Sequence, residues 1–168
     1  MSRVLALDPG NTFTGWCVIE RDTLKPLSFG KTENRSLAQE VKSRLQFDEF
    51  VIERVASYGM AVGKDIFQTC EWIGRFVQIA SDRKIPVSYV YRKDEKLHVC
   101  GDSRAKDSNI RMALVERFAQ HDFKNGKGTK AAPDWFYGFS GSDMYAAYCV
   151  GITYIEKGPS EKEDAYED

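Results

Sequence analysis

The sequence lacks the features that mark membrane and secreted proteins. It has no apolar run of about 18 residues, the length that spans a bilayer, and its mean hydropathy is −0.45. Its first residues, MSRVLALDPG, pass directly into a strand-like run without the apolar segment and cleavage site of a signal peptide. We therefore expect a cytoplasmic protein that has no membrane partner.

Sequence motifs for a structural zinc site are also missing. The four cysteines lie 53, 30 and 49 residues apart, and the two histidines complete no Cys/His pattern. Zinc sites of that kind use cysteines and histidines paired within a few residues of each other. Without such pairs and without an export signal, we expect four reduced thiols.

The chain has almost no net charge, which by itself suggests no polyanionic partner. Its 24 basic and 25 acidic residues give a formal charge of −1. The charges are unevenly placed, however: residues 1–82 carry −1, residues 83–130 carry +6 and residues 131–168 carry −6. The middle segment predicts a basic surface, either simply solvated or facing a polyanion. The ending GPSEKEDAYED, residues 158–168, predicts an acidic, disordered tail.

Apolar residues are sufficient for one packed domain, which we place at residues 1–157. Hydrophobic residues make up 42% of the 168 positions, and no repeat or linker divides the chain. The patterning predicts an α/β domain of five strands and four helices, in which the first strands suit an antiparallel meander. The predicted strands are 4–7, 15–20, 27–32, 50–52 and 87–91, and the predicted helices are 36–45, 64–83, 106–119 and 143–156, with 120–138 as loop.

Three acidic residues stand at the ends of predicted core elements. Asp8 and Glu53 are each the first polar residue after a short apolar strand. Asp143 opens a helix whose small residues Ala146 and Ala147 allow it to lie close to the sheet. If the two strands are parallel neighbours, both carboxylates emerge at the sheet edge where open α/β sheets bind ligands.

Such a convergence of carboxylates, with no Lys or Arg among them, favours divalent cations. Like charges repel at short range, and oxygen ligands suit Mg²⁺, with Mn²⁺ as an alternative. Two ions about 3.5–4 Å apart activate water and stabilise the leaving oxygen in phosphodiester hydrolysis. Taken singly, the same residues also fit ordinary roles: a turn residue, a surface acid and a helix N-cap.

Four segments of the chain resemble, in order, the RuvC-like Holliday-junction resolvases, in particular their phage-type branch. The segments are LALDPGNTFTGWCVIE (5–20), VIERV (51–55), CGDSRAKDSNIRMALVERF (100–118) and SDMYAAYCVGITY (142–154). The resemblance implies an RNase H-like fold, with a central mixed five-stranded sheet flanked by helices, and a homodimer. It is compatible with an enzyme encoded by a bacteriophage and acting in its host. It also implies paired, Mg²⁺-dependent nicks in four-way DNA junctions, with two ions per site. Asp8, Glu53 and Asp143 match the family's catalytic metal ligands.

Two positions depart from the family pattern. Three residues before its last acid, one helical turn away, the family has another Asp or a His; this chain has Ser140. A serine is a poorer metal ligand, so the site runs on three carboxylates with Ser140 beside them, unless Asp134 folds back to replace it. Where the family has a lysine facing the scissile phosphate, this chain has Asp107. Lys106 or Arg104 would take that role.

The basic middle segment supplies candidate DNA contacts. Glycines let backbone approach phosphate, and each neutralised phosphate adds salt-sensitive affinity. The candidates are Arg104, Lys106 and Arg111 around the turn and helix, and Lys124, Lys127 and Lys130 in a Gly-rich loop. The loop is alternatively just solvated. Tyr58 lies in a segment that resembles the family's junction wedge, where it would stack on a base or pack beneath the loop.

The helix predicted over 64–83 offers a surface for a second copy. Phe67, Trp72 and Phe76 lie off its main apolar stripe, which predicts one face for the core and another for a dimer partner. A dimer would match a two-fold symmetric substrate.

Other functions remain open at this point. An actin-like or Hsp70-like ATPase also has Asp, Gly and Thr after its first strand, but it needs two lobes and a second phosphate loop, so we expect no nucleotide cofactor. A catalytically silent DNA-binding module and a broader nuclease that cuts forks and flaps are the remaining alternatives, because function belongs to the site and not to the fold.

Overall fold

A mixed sheet lies between two layers of helices in the computed structural model, which describes residues 2–56, 59 and 61–161. The strands are β1 (Arg3–Asp8), β2 (Phe13–Glu20), β3 (Pro26–Glu33), β4 (Glu49–Arg54) and β5 (Val87–Tyr91). The helices are α1 (Asn34–Ser43), α2 (Lys64–Asp82), α3 (Arg92–Cys100), α4 (Asp107–Phe118) and α5 (Asp143–Lys157). Among the described residues, no helix has the length and apolar character needed to cross a bilayer.

The order of the five strands, β3-β2-β1-β4-β5, combines an antiparallel meander with a parallel half. Strands β1 to β3 pair antiparallel, whereas β1 pairs parallel with β4 and β4 pairs parallel with β5. Leu7 lies opposite Ile52 in the β1–β4 register, so the next residues, Asp8 and Glu53, leave the sheet side by side. This confirms the predicted mixed five-stranded sheet and the parallel placement of these strands.

The alternation of side chains along β1 and β4 decides which face the two acids share. Leu5 and Leu7 pack with α1 and α2 on one face, and Val4 and Ala6 pack with α4 and α5 on the other. Because side chains along a strand alternate between the two faces of the sheet, the Asp8 side chain lies on the same face as Val4 and Ala6. Glu53 likewise follows Val51, which faces the same layer. Both carboxylates therefore lie on the side of the sheet that α5 covers.

Helix α5 lies close to the sheet because glycines occur at the points where the helix and the sheet are in contact. A Cβ added at Gly151 would overlap the Ile19 side chain, and one added at Gly15 would overlap the backbone carbonyl of Asp143. The close approach buries every residue of α5 from Tyr145 to Thr153.

Two sequence predictions about helices were wrong. Apolar residues occur on several sides of α2, and the spacing predicted only part of its inward face. Of the predicted stripe, Ile73 and Ala80 are buried but Ile66 and Cys70 are exposed, and the other inward residues are Thr69 and Phe76. Phe76 has no exposed surface and so belongs to the core, whereas 60% of Phe67 is exposed. Helix α3 was not predicted at all, because its sequence RKDEKLHVC is mostly charged and shows no apolar stripe.

The predicted tail begins beside the edge strand β5. Ser160 donates its backbone N–H to the carbonyl of Tyr89 at 3.0 Å, and its hydroxyl accepts from the N–H of Tyr91 at 3.0 Å. Residues 162–168 lie outside the described residues, and the disordered tail stays a prediction.

Candidate metal centre

Two acidic side chains lie together at the carboxyl edge of the parallel strands. Asp8 ends β1, and Glu53 lies beside it on β4. Burial raises the pKa of Asp8 well above its ordinary value, and the Glu53 carboxylate raises it further. Burial also raises the pKa of Glu53 to about 7, with the repulsion of a third carboxylate, Glu95, as the next cause.

Glu95 is an acidic residue of this site that the sequence analysis missed. It lies on α3, which begins directly after β5, and only 1% of the residue is exposed. Burial raises its pKa to about 8, and the charge of Asp8 also acts to raise it. One pattern indicates its orientation: Glu95 precedes Val99 by four residues, and Val99 packs against the core.

Asp143 approaches the same edge from the helix layer. It is the first residue of α5, and its backbone rests on Gly15, which is the partner of Asp8 in the β1–β2 ladder. Its charge is one of the causes that raise the pKa of Asp8. The Asp143 side chain is 37% exposed, so it faces solvent where the other acids are buried.

Two cations lie among these acids, contrary to the expectation that none would. Lys31 on β3 is the strand partner of Gly15, and its Nζ lies 2.9 Å from Asp143 Oδ2. Arg92, the first residue of α3, lies with Nη1 3.5 Å from Glu53 Oε1. Arg92 also donates a hydrogen bond to Asp107, the residue that stands where the family resemblance expects a lysine. Neither cation was visible in the sequence because each depends on strand register and helix direction.

A buried polar network fixes the turn that follows Asp8. Thr14 Oγ1 donates to Asn34 Oδ1 at 2.6 Å, and Asn34 Nδ2 donates to the carbonyl of Gly10 at 2.9 Å. Thr14 and Asn34 are both buried. Because buried polar groups that are fully bonded hold one conformation, this network fixes the backbone beside the acid.

Ser140 and Asp134, the two candidates for a fourth ligand, lie elsewhere than predicted. Ser140 is exposed in the turn before α5, which begins only at Asp143, so it is not one helical turn away on the same face. Asp134 is buried, and its carboxylate accepts four backbone N–H groups at 2.6–2.9 Å. Burial acts to raise the pKa of Asp134, but these donors outweigh it and hold the pKa well below the usual range. Asp134 therefore stabilises the loop that follows α4 and is not part of the acidic site.

The predicted DNA-binding residues lie on the surface around α4 and the loop that follows it. Arg104, Lys106 and Arg111 are exposed, and Arg104 lies 3.6 Å from Asp102. In the loop, Lys124 and Lys130 are exposed and Lys127 is half-buried. Tyr58 lies outside the described residues.

A contact ties this loop to the acidic edge. The hydroxyl of Tyr145, two residues into α5 from Asp143, donates to the carbonyl of Asn125 at 3.5 Å. Arg111 is also close enough to act on the Tyr145 hydroxyl, lowering its pKa against the larger effect of burial, which raises it. Arg111 and the loop residue Asn125 therefore lie near the end of α5 that carries Asp143.

Comparison with solved structures places this arrangement among known folds. Thermus thermophilus RuvC superposes with a TM-score of 0.63 at 18% identity, covering 94% of this chain and 97% of that one. RuvC of T. thermophilus in complex with a Holliday junction substrate gives a TM-score of 0.64 at 16% identity, covering 92% and 93%. The chain has the RuvC fold.

A second resolvase has the same fold. The yeast mitochondrial Holliday junction resolvase Ydc2 superposes on the chain with a TM-score of 0.60 at 11% identity, covering 92% of this chain and 79% of that one. No family model and no curated protein matches the chain by sequence. The RNase H-like architecture is thereby confirmed, and the phage-type branch stays a prediction.

The donor atoms at the acidic edge of this RuvC fold suit a hard divalent cation. Within the described part of the chain, no group of three or more His, Cys, Asp or Glu side chains is placed so that it could hold a metal ion. However, Glu53 Oε1 and both carboxylate oxygens of Glu95 are buried and make no hydrogen bond to any described residue. Unbonded buried carboxylates carry a large desolvation cost, and a divalent cation with oxygen ligands would offset it. The residues present therefore fit Mg²⁺ or Mn²⁺.

The raised pKa values predict how the metal-free protein responds to pH. The folded state holds protons on Glu53 and Glu95 up to about pH 7 and about pH 8, whereas the unfolded state releases them near their ordinary pKa of 4.5. The folded state thus binds more protons in this window, so stability is highest below it and falls as pH rises. We expect the free energy of unfolding to fall by several kcal/mol between pH 5 and 8, measured by urea unfolding in EDTA.

The same titration has a matched control. Glu95→Gln removes one of the two groups, so the stability curve of this variant should be flatter above about pH 6. A stability in EDTA that rises from pH 5 to 8 in the unmodified protein would contradict the assignment of buried, repelling carboxylates.

Proposed function

We propose that the chain is a divalent metal-dependent, structure-selective DNA endonuclease that resolves four-way junctions by paired nicks. The observation that carries this proposal is the convergence of Asp8, Glu53 and Asp143 at one edge of a RuvC fold. A junction-resolving function is further supported by the solved complex of RuvC with a Holliday junction substrate.

Asp8, Glu53 and Asp143 are the residues that would hold the metal ions. Two divalent ions held there would supply the activation of a water molecule and the stabilisation of the leaving oxygen of a phosphodiester. The chain itself supplies negative charge in a partly buried pocket, and the network through Thr14 and Asn34 holds the Asp8 turn in place. Lys31 and Arg92 balance the acids, and they lie where a phosphate would approach.

In this proposal the basic surface beside the site holds the DNA backbone. Arg104, Lys106 and Arg111 would contact phosphates near the cut, with Lys106 or Arg104 taking the place of the family lysine that Asp107 replaces. Lys124, Lys127 and Lys130 would extend the contact along a second arm, and Tyr58 would stack at the junction centre.

We further propose that the enzyme acts as a homodimer, as two nicks in a two-fold symmetric junction require. The exposed apolar side chains at the start of α2 support this, since 60% of Phe67, 48% of Val62 and 37% of Ile66 are accessible. The expectation of a phage-encoded enzyme that acts in the cytoplasm of its host belongs to the same proposal.

A panel of labelled DNA substrates tests the function. A four-way junction, a fork, a flap and a linear duplex with the same arm sequences are incubated with excess protein in Mg²⁺. We expect the junction to be cut at least about tenfold faster than the other substrates, with a 5′-phosphate and a 3′-hydroxyl at each nick. Equal rates on forks and flaps would instead assign the broader nuclease, and binding of the junction without cutting would assign the silent module.

The DNA-binding residues have a prediction of their own. The double substitution Arg104→Ala/Lys106→Ala removes two positive charges that we assign to phosphates. Each phosphate contact contributes about 0.9 to the slope of log affinity against log salt, so we expect a slope smaller by about 2 and an affinity about tenfold lower at 0.1 M salt. Junction binding is measured by fluorescence anisotropy over a salt series.

Lys42→Ala is the matched control for this experiment, because Lys42 is exposed on α1, in the helix layer that lies on the opposite face of the sheet. Its salt slope should equal that of the unmodified protein. An unchanged slope in the double variant would remove Arg104 and Lys106 from the DNA interface.

A further inference from the structure

We propose that Glu95 is a metal ligand of this site and supplies from α3 the acidic group that Ser140 does not supply from the turn before α5. The inference rests on the proposed metal-dependent function, and it names a ligand outside the three acids given above. With Glu95 as a ligand, a site that has a serine at the fourth ligand position still has four carboxylates.

The first argument is that the Glu95 side chain is buried without a hydrogen-bond partner among the described residues. Only 1% of the residue is exposed, and neither carboxylate oxygen accepts a hydrogen bond from any residue in the described part of the chain. Arg92 is the nearby guanidinium, but its ion pairs are made with Glu53 and Asp107. A carboxylate in such a place is strongly destabilising unless a cation joins it.

The second argument is the position of Glu95 relative to the other acids. Helix α3 begins one residue after β5, so its first turns lie at the same sheet edge as the ends of β1 and β4. The charge of Glu95 acts on Glu53, and the charge of Asp8 acts on Glu95, so the three carboxyl groups lie near one another. Glu95 is therefore aimed into the acidic site.

The third argument is that Ser140 does not provide a metal ligand. Its side chain is exposed, its backbone N–H contacts the Sδ of Met144 at 3.4 Å, and a neutral hydroxyl is a weak ligand for a hard divalent cation. With Ser140 removed from the ligand set, α5 contributes Asp143, the strands contribute Asp8 and Glu53, and α3 contributes Glu95. The site then keeps four carboxylates, of which the fourth comes from α3.

The test is Mn²⁺ binding, followed by the loss of the free Mn²⁺ signal in electron paramagnetic resonance. The proteins compared are the unmodified chain, Glu95→Gln and Glu116→Gln, a control on the exposed side of α4. We expect Glu95→Gln to bind Mn²⁺ at least about tenfold more weakly, since affinity follows the number of charged ligands. Glu116→Gln should bind like the unmodified chain.

A second readout separates a ligand from a merely structural residue. In EDTA the thermal midpoint of Glu95→Gln should equal or exceed that of the unmodified protein, because a buried acidic group without a hydrogen-bond partner has been replaced by a neutral amide. A residue needed only for packing would lower that midpoint. Weaker Mn²⁺ binding together with an undiminished midpoint supports the ligand role, whereas unchanged Mn²⁺ binding, or a midpoint that falls with the affinity, overturns it.

The outcomes also distinguish this inference from the proposed function. If the unmodified protein binds Mn²⁺ and cuts the junction while Glu95→Gln does both equally well, only the inference about Glu95 fails. If the unmodified protein binds Mn²⁺ through Glu95 but cuts no branched DNA, the ligand assignment stands and the nuclease function fails. If the unmodified protein binds no Mn²⁺, both fail together.

Discussion

Replacing Asp8 with asparagine should lower the single-turnover rate of junction cleavage in Mg²⁺ about a thousandfold. Asp8 lies between Glu53 and Asp143, so its charge is the one shared by the whole acidic edge. Metal ions contribute several kcal/mol of transition-state stabilisation, and each 1.36 kcal/mol corresponds to a factor of about ten in rate. The amide keeps the shape of the side chain but removes its negative charge.

Binding of the junction by Asp8→Asn should be unchanged or tighter, because one repulsive charge near the phosphates is gone. Asp22→Asn is the matched control, since Asp22 is exposed in the turn between β2 and β3, at the opposite edge of the sheet. It should cut at the rate of the unmodified protein. Cleavage by Asp8→Asn within about tenfold of that rate would remove Asp8 from the catalytic site.

Replacing Asp134 with alanine should destabilise the fold by about 3–5 kcal/mol without touching the acidic site. The carboxylate accepts the backbone N–H groups of Gln120, His121, Asp122 and Trp135, and its side chain has no exposed surface. Each buried donor left without a partner costs about 1–3 kcal/mol, partly recovered where water enters. For a domain of this size the thermal midpoint should fall by about 10 °C.

Asp134→Asn provides a graded comparison. Each carboxylate oxygen of Asp134 accepts from two backbone N–H groups, so an amide nitrogen in place of one oxygen leaves two donors unpaired. We expect about half of the effect of the alanine variant. Equal thermal midpoints for the unmodified protein, Asp134→Ala and Asp134→Asn would contradict the structural role of Asp134. Loss of Mn²⁺ binding by folded Asp134→Asn would instead indicate that Asp134 is a metal ligand.

The same residue predicts a response to acid. The pKa of Asp134 is held below its usual range, so its contribution to stability is present above the unfolded pKa near 4 and is lost as pH falls toward the folded pKa. The stability difference between the unmodified protein and Asp134→Asn should therefore shrink below about pH 4. This difference in the free energy of unfolding is measured by urea unfolding of both proteins at pH 3 and pH 7.

The sequence alone predicted the part of the site that depends on strand ends. Asp8 and Glu53 follow short apolar strands, and the parallel pairing of those strands places them together by register alone. Asp143 could be placed because a helix with small inward residues must lie close to the sheet, and Gly15 and Gly151 are the positions where it does.

The remainder of the site depends on elements with no apolar pattern. The inward face of a helix is normally recognised from a stripe of apolar residues. Helix α3 has a glutamate on its inward face instead, so neither the helix nor Glu95 was predicted. Lys31 reaches Asp143 only because the meander pairs it with Gly15, and Arg92 reaches Glu53 only because β5 lies beside β4. Ser140 was placed on a helical turn that the chain does not form, since α5 begins at Asp143.

Removal and return of the metal tests the central claim most directly. A labelled four-way junction is incubated with the unmodified protein in EDTA, after which Mg²⁺ is added in excess to the same reaction. We expect no cutting in EDTA and, once Mg²⁺ is present, paired nicks at symmetric positions in opposing strands. Cutting that proceeds in EDTA at the rate seen with Mg²⁺ would contradict a metal centre built on Asp8, Glu53 and Asp143.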